Sequence, residues 1–220
     1  MLKKILALVL CSVALGAAAS PTAPLPGKEY VVLNERQPAE AGHKVEVIEF
    51  FAYYCPHCYA LEPSLAAWAK KQGDNIVFKR IHVGRGPAVL PQQKLFFALE
   101  ALGLVEQYHA KVFNAMHVEH NPLRSDEAVI AWAAQNGIDK VRFTDAYNSM
   151  GVNARVRRTT TMMGDYRVDY WPMLFVDGKY MTSPYEASKG TAAALSEDQQ
   201  QANALQVLDF LVAKAKAEKK

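Results

Sequence analysis

Cysteine is scarce in this sequence. Its 220 residues hold three, at positions 11, 55 and 58, too few for a framework of several stabilising disulfides. Charge of one sign is also missing: 25 basic residues against 22 acidic give a formal +3, which lends no support to nucleic-acid binding. There are no internal repeats and no long low-complexity segment. The one N-terminal apolar run, Ile5 to Leu15, is broken only by Cys11 and Ser12 and is short of the about 20 residues that cross a bilayer. It follows the basic start Met1-Leu2-Lys3-Lys4 and precedes Ala17-Ala18-Ala19. That order reads as a secretory signal peptide over 1–19, cut after Ala19. A lipidated cysteine is disfavoured because Leu10, not a small residue, precedes Cys11. Removal of the leader takes Lys3, Lys4 and Cys11 with it. A nearly neutral exported chain remains, with two cysteines in an oxidising compartment.

Those two form Cys55-Pro56-His57-Cys58. The apolar segment Val47 to Tyr54 runs into the motif, and Leu61, Leu65, Trp68 and Ala69 follow it at helical spacing. The pattern is a strand that ends in a Cys-x-x-Cys opening a helix, which reads as redox chemistry. Cys55 at a helix start faces unpaired backbone N–H groups and the positive end of the helix dipole, and both favour the thiolate. One helical turn brings Cys58 back within disulfide reach of Cys55. Pro56 falls at the first helical position, where its missing N–H is no loss. His57 adds a donor and a positive charge beside the sulfur. A bond across so short a loop removes little unfolded-state entropy, so reactivity rather than stabilisation explains the pair.

Along the chain, Ser20 to Gly27 reads as a Pro- and Ala-rich leader and Tyr30–Leu33 as a short edge strand. Lys44–Phe51 and Ile76–Val83 are strands, on either side of a helix over Pro56–Gln72. After Gly84-Arg85-Gly86-Pro87 the periodicity turns helical, with candidates at Leu90–Leu102, Val105–Met116, Ser125–Asn136, Val141–Met150 and Gly151–Met163. Strand signals return at Met173–Val176 and Lys179–Thr182, joined by the hairpin dipeptide Asp177-Gly178. Gln199–Lys216 closes the chain as an amphipathic helix. Trp171-Pro172 stands just before the Met173 strand, at a peptide bond where the cis form is accessible.

Strand, Cys-x-x-Cys helix and a proline before a hairpin together resemble the thioredoxin superfamily. Glu49-Phe50-Phe51, Tyr53-Tyr54-Cys55-Pro56-His57-Cys58-Tyr59 and Phe175-Val176-Asp177-Gly178-Lys179-Tyr180 resemble, more narrowly, its DsbA family of periplasmic disulfide oxidases. The resemblance implies an α/β fold: a thioredoxin fold, over 20–84 and 160–220, with an inserted all-helical domain over 85–159. It implies Cys55 as surface nucleophile, Cys58 as shielded resolving thiol, and Pro56 and His57 as setters of the redox potential. Pro172 would be the cis-proline, and the Trp171 backbone would pair with an extended substrate peptide. Glu49 matches a buried acid behind the disulfide that relays a proton to or from Cys58. Glu62 matches a second acid, with Arg80 as its basic partner. The family carries a smaller residue than Trp171 before the proline, so substrate preference is expected to differ. The resemblance also implies no cofactor beyond the Cys55–Cys58 disulfide and no metal. It implies a monomer in the periplasm that oxidises newly exported chains and is itself reoxidised by a DsbB-type membrane quinone reductase.

Three rival readings share these residues. A reductase or isomerase of the same fold would run the exchange the other way. A peptide-binding chaperone would use Tyr53, Tyr54 and Trp171 as groove walls. A zinc site would need Cys55, Cys58, His117 and His120, but His-x-x-His is tighter than the usual finger spacing. Tyr59 after Cys58 excludes covalent haem attachment.

Overall fold

The structure is a computed structural model that describes residues 22–191 and 194–219. The expected leader, 1–19, lies outside the described residues, as does Cys11. A five-stranded sheet runs through the molecule in the order β1-β5-β4-β2-β3. Its strands are β1 (Val31–Val32), β2 (Val45–Phe51), β3 (Ile76–His82), β4 (Met173–Val176) and β5 (Tyr180–Thr182). β2 and β3 are parallel, joined through helix α1 (Pro56–Gln72), and the other pairings are antiparallel.

Every residue of β2 is buried, because β2 is flanked on both sides and covered on both faces. The alternation of side chains then sorts its residues between two cores. Val45 and Val47 join Leu61, Leu65 and Trp68 of α1 and Val207, Leu208 and Leu211 of the C-terminal helix. Ile48 and Phe50 join the opposite core, which the helices between β3 and β4 complete. Glu49 has the parity of Val45 and Val47, so it is driven into the α1 side although it is a carboxylate.

Those intervening helices are α2 (Leu90–Ala101), α3 (Val105–His117), α4 (Asp126–Gln135), α5 (Lys140–Asn148) and α6 (Met150–Asp165), and α7 (Glu197–Glu218) closes the chain. The expected domain border at 159/160 falls inside α6, which continues to Asp165. Ser125, Asp139, Ser149 and Ser196 cap their helices by accepting a backbone N–H, which satisfies donors left free at each start. The β4–β5 turn requires its dipeptide. Asp177 and Gly178 both have positive φ, 52° and 63°, as a two-residue hairpin loop demands. A Cβ on Gly178 would also lie 2.0 Å from the Gln37 carbonyl oxygen. Among the described residues no helix is long and apolar enough to cross a membrane.

Candidate active site

β2 delivers the chain to the motif, and a loop holds it there. The Tyr53 N–H donates to His82 Nε2 at 3.0 Å, and the Cys55 N–H donates to the Ala52 carbonyl at 3.0 Å. His82 is fully buried and its pKa is lowered to about 3, chiefly by that burial, so it accepts as a neutral ring. Helix α1 then starts at Pro56 with Cys55 as its N-cap. The capping acceptor is the Cys55 sulfur, which receives the Cys58 N–H at 3.4 Å. Where helices usually place a serine or aspartate oxygen, this one places the Cys55 sulfur.

The two cysteines, free thiols in this structure, differ sharply. Cys55 Sγ also lies 3.6 Å from the Trp171 carbonyl oxygen. Its pKa is lowered to about 7, first by the hydrogen bond from Cys58 and then, against the effect of burial, by the Cys58 and His57 backbone N–H groups and the His57 charge. Cys58 is driven well above the ordinary thiol range, mainly by burial. Cys55 keeps 6% of its exposure and Cys58 none. Cys55 is therefore recessed, where the family resemblance implied a surface position, and the enclosure limits how far its thiol falls.

His57 projects into solvent from the first turn of α1, with Nδ1 2.7 Å from Glu197 Oε1 at the start of α7. That hydrogen bond raises the His57 pKa above 6.5 and favours the cation beside the sulfur. The Trp171–Pro172 peptide is cis. The Trp171 ring packs edge-on to Tyr54, with centroids 6.1 Å apart, and the Arg85 guanidinium lies 5.7 Å from its centre. A groove of about 400 Å³ opens beside this loop, lined by His57, Trp171, Pro172, Tyr185, Glu197 and Gln200. Tyr53 is no part of it: the ring is fully buried among Phe51, Phe96 and Phe113, which removes it from any peptide groove. His117 and His120 do not converge on the cysteines. His117 stacks on Tyr59 and bonds the Tyr53 carbonyl at 2.7 Å, and His120 is exposed at positive φ.

Behind Cys58 lies a buried charge cluster. Arg80 Nη2 donates to Glu62 Oε1 at 2.8 Å, and its Nε is 3.4 Å from Glu49 Oε2. Glu49 is 1% exposed. Burial first, and then the nearby Glu62 charge, raise its pKa to about 8 against the opposing pull of Arg80. In Glu62, burial is outweighed by His109 and Arg80, and the pKa falls. The sequence brought Glu49, Glu62 and Arg80 into consideration; it gave no signal for His109, His82 or Glu197, each of which reaches the site from a distant element.

Two sulfurs of opposed acidity, a cis-proline loop against the reactive one and a buried acid pair behind the other are the elements of thiol–disulfide exchange. Comparison with known proteins agrees. The model of the DSBA-like thioredoxin domain matches residues 65–196, and that of thioredoxin matches 34–95, which includes both cysteines. The thiol:disulfide interchange protein DsbA of Burkholderia cepacia is 44% identical over 96% of each chain.

The chain belongs to the DsbA family.

DsbA of Pseudomonas aeruginosa is 32% identical over 87% of this chain and 85% of its own. The crystal structure of a DsbA from that organism superposes with a TM-score of 0.72, covering 86% of this chain and 95% of that one at 32% identity. DsbA of Xylella fastidiosa gives 0.76, covering 88% and 98% at 25% identity. This DsbA-family chain is thus a thiol:disulfide oxidoreductase on a thioredoxin fold that carries a helical insertion.

Proposed function

We propose that this DsbA-family protein oxidises newly exported chains by donating a Cys55–Cys58 disulfide. A substrate thiolate attacks Cys55 Sγ and forms a mixed disulfide, and Cys58 leaves as a thiolate that takes up a proton. A second substrate thiolate then attacks its own sulfur in that mixed disulfide, and Cys55 departs as a thiolate. The substrate gains a disulfide and loses two electrons, which remain on the reduced pair. The observation that carries this direction is the opposed acidity of the two sulfurs. Cys55, with a pKa of about 7, is stabilised as an anion, which favours the reduced protein and makes Cys55 a good leaving group.

The residue roles follow from position. Pro56 and His57 tune Cys55; Glu49, buried beside the Glu62–Arg80 pair, supplies a proton to Cys58. An extended substrate would pair with the Trp171 backbone next to Pro172 while its side chains enter the adjoining groove. The protein would act as a monomer in the periplasm, exported by the leader over 1–19. The helical insertion would begin at 85 and end with α6. No bound cofactor is required, and a DsbB-type membrane quinone reductase would return the pair to the disulfide.

Equilibration of the pair with glutathione tests the direction. The expected result is a constant that favours reduced protein, together with thiolate absorbance that appears near pH 7 in the wild type and is lost in Cys55→Ala. A pair that resists reduction by glutathione, or a Cys55 that titrates like a free cysteine, would reverse the assignment to a reductase. Retention of peptide-refolding activity in Cys55→Ala would make the protein a chaperone.

A further inference from the structure

We propose that Arg85, in the loop between β3 and α2, is a specificity-determining residue: it receives an acidic side chain of the substrate next to the reacting cysteine, on the flank away from the groove. The inference rests on the reading that a substrate forms its mixed disulfide at Cys55 while it pairs with the Trp171 backbone.

Gly84-Arg85-Gly86-Pro87 breaks the strand pattern in the sequence, and the fold puts that break at the active site. The Val83 N–H donates to the Phe51 carbonyl at 2.7 Å, and Gln93 Nε2 donates to the His82 carbonyl at 3.1 Å. The end of β3 is thereby fastened beside the end of β2, the strand that leads to Cys55. Gly84 then packs against the turn before α2, where a Cβ would lie 2.3 Å from Val89 Cγ2. Arg85 follows, exposed.

An exposed arginine is ordinarily a solvated charge on a long, flexible stem. Arg85 is held at two points, and both belong to the cis-proline loop. Nη2 donates to the Asp169 carbonyl at 3.0 Å, and the guanidinium carbon lies 5.7 Å from the centre of the Trp171 ring, within cation–π range. Neither partner is an anion, and among the described residues Arg85 forms no ion pair. A guanidinium carries five N–H donors in a fixed fork, so this single hydrogen bond leaves donors for a bidentate carboxylate. The charge sits close to the nucleophile's own segment. Burial chiefly raises the pKa of Tyr54, the residue before Cys55, to about 12, and the Arg85 charge opposes that rise.

The groove is built differently. It holds no lysine or arginine, and its charged side chains, His57 and Glu197, are paired with each other. Trp171 lines it, whereas Arg85 and Tyr54, which meet the indole, do not. Charge beside Cys55 is therefore lopsided, with an unpaired cation at the indole and a neutralised pair in the groove. Each residue of an extended peptide advances about 3.3 Å. A substrate paired along Trp171 carries side chains on one side of its cysteine into the groove and those on the other side past Arg85. A carboxylate in the second set gains a partner; a carboxylate in the first meets Glu197.

Peptide exchange at Cys55 tests this. The full mature chain with Cys58→Ala is prepared as the Cys55–glutathione mixed disulfide. A single-cysteine peptide thiolate attacks Cys55 Sγ and glutathione leaves as a thiolate, so the equilibrium constant reads how well the peptide is held. Peptides carry Asp, Asn or Lys one or two places before or after the cysteine. Asp should exceed Asn by about threefold on one side of the cysteine only, the scale of an exposed ion pair, and the excess should shrink in 1 M salt, where the Debye length is about 3 Å. Arg85→Gln should abolish the excess, and Arg85→Glu should turn the preference to Lys. A displaced loop would not reverse its sign. Comparison of the same peptides on each variant cancels differences in their own thiols. Equal constants for Asp and Asn at all positions overturn the proposal without any change at Arg85; so does an excess of equal size on both sides, or one that survives Arg85→Gln. If the Asn peptides exchange and Asp gains nothing, only the role of Arg85 falls. If no peptide displaces glutathione, the reading of Cys55 as the site of the mixed disulfide falls, and the role of Arg85 with it.

Discussion

His57 and Glu197, 140 residues apart in sequence, meet at 2.7 Å and join the N-terminus of α1 to that of α7 at the rim of the groove. The contact ties the charge beside the nucleophile to a helix that the motif itself does not include. Replacement of Glu197 by Gln removes the anion that favours the His57 cation. The His57 titration should return toward 6.5, and less Cys55 thiolate should absorb at pH 7. Both groups are substantially exposed, so global stability should change by less than about 1 kcal/mol. NMR titration of the imidazole and absorbance of the thiolate measure the two effects. An unmoved His57 would show that the contact has no electrostatic effect in solution.

Glu49 gives a prediction with a defined sign. Its pKa is raised to about 8 in the folded protein, against the ordinary carboxylate range when unfolded. Between those two values the folded state binds the extra proton, so stability falls as pH rises. The contribution is complete below about pH 4.5 and is lost through pH 8. Glu49→Gln removes the titration, and its stability should vary less between pH 5 and pH 8 than that of the wild type, by on the order of a few kcal/mol. Urea unfolding of the reduced protein at the two pH values measures this difference. Equal pH dependence in the two proteins would mean that Glu49 is ionised inside the fold.

Arg80 is the cluster's permanent cation, and its side chain is 9% exposed. Arg80→Met keeps much of the volume but leaves Glu62 and Glu49 without their positive partner. Breaking a buried pair from one side costs about 3–5 kcal/mol, and the loss should be greatest at high pH, where both acids tend to ionise. The Glu49 pKa should rise further, since Arg80 is the group that restrains it. Denaturation across pH checks both statements; a variant as stable as the wild type would mean that the acids are already neutral.

The parts that frame the candidate site were readable because each is local. A strand ending in Cys55-Pro56-His57-Cys58, Trp171-Pro172 before a hairpin, and Asp177-Gly178 at its turn are written in consecutive residues. Glu49 and Glu62 were reached through the family resemblance, and β2 packed against α1 and β3 brings them to Arg80. His109, His82 and Glu197 were illegible for the opposite reason, and Tyr53, offered by the sequence as a groove wall, is buried instead. Periodicity reports which face of one element is buried, and not which residue of another element lies against it. Nothing in the run Tyr108-His109-Ala110 says that a carboxylate from α1 will face the imidazole. Lys94 was hidden in the same way: it sits in α2, where residues 91 to 99 are all buried, and is held by Asp126, Asn148 and the Tyr147 ring. The contact between Cys55 Sγ and the Trp171 carbonyl was hidden too, because it joins residues far apart in the chain.

Trp171 separates substrate choice from chemistry. Its carbonyl oxygen contacts Cys55 and would remain after substitution, because it belongs to the backbone. Its indole leans on Tyr54 and Arg85 and forms one wall of the groove beside His57. Trp171→Val should therefore leave the Cys55 titration close to that of the wild type while widening the approach. Peptides with a bulky residue next to the reacting cysteine should gain several-fold in kcat/KM, and peptides with glycine there should change little. The gain should appear in KM, since the side chain meets substrate in the ground state and the transition state alike. Oxidation rates for a paired set of dithiol peptides measure the discrimination. If both peptides change equally, Trp171 acts on the sulfur through the loop and not on the substrate through the groove.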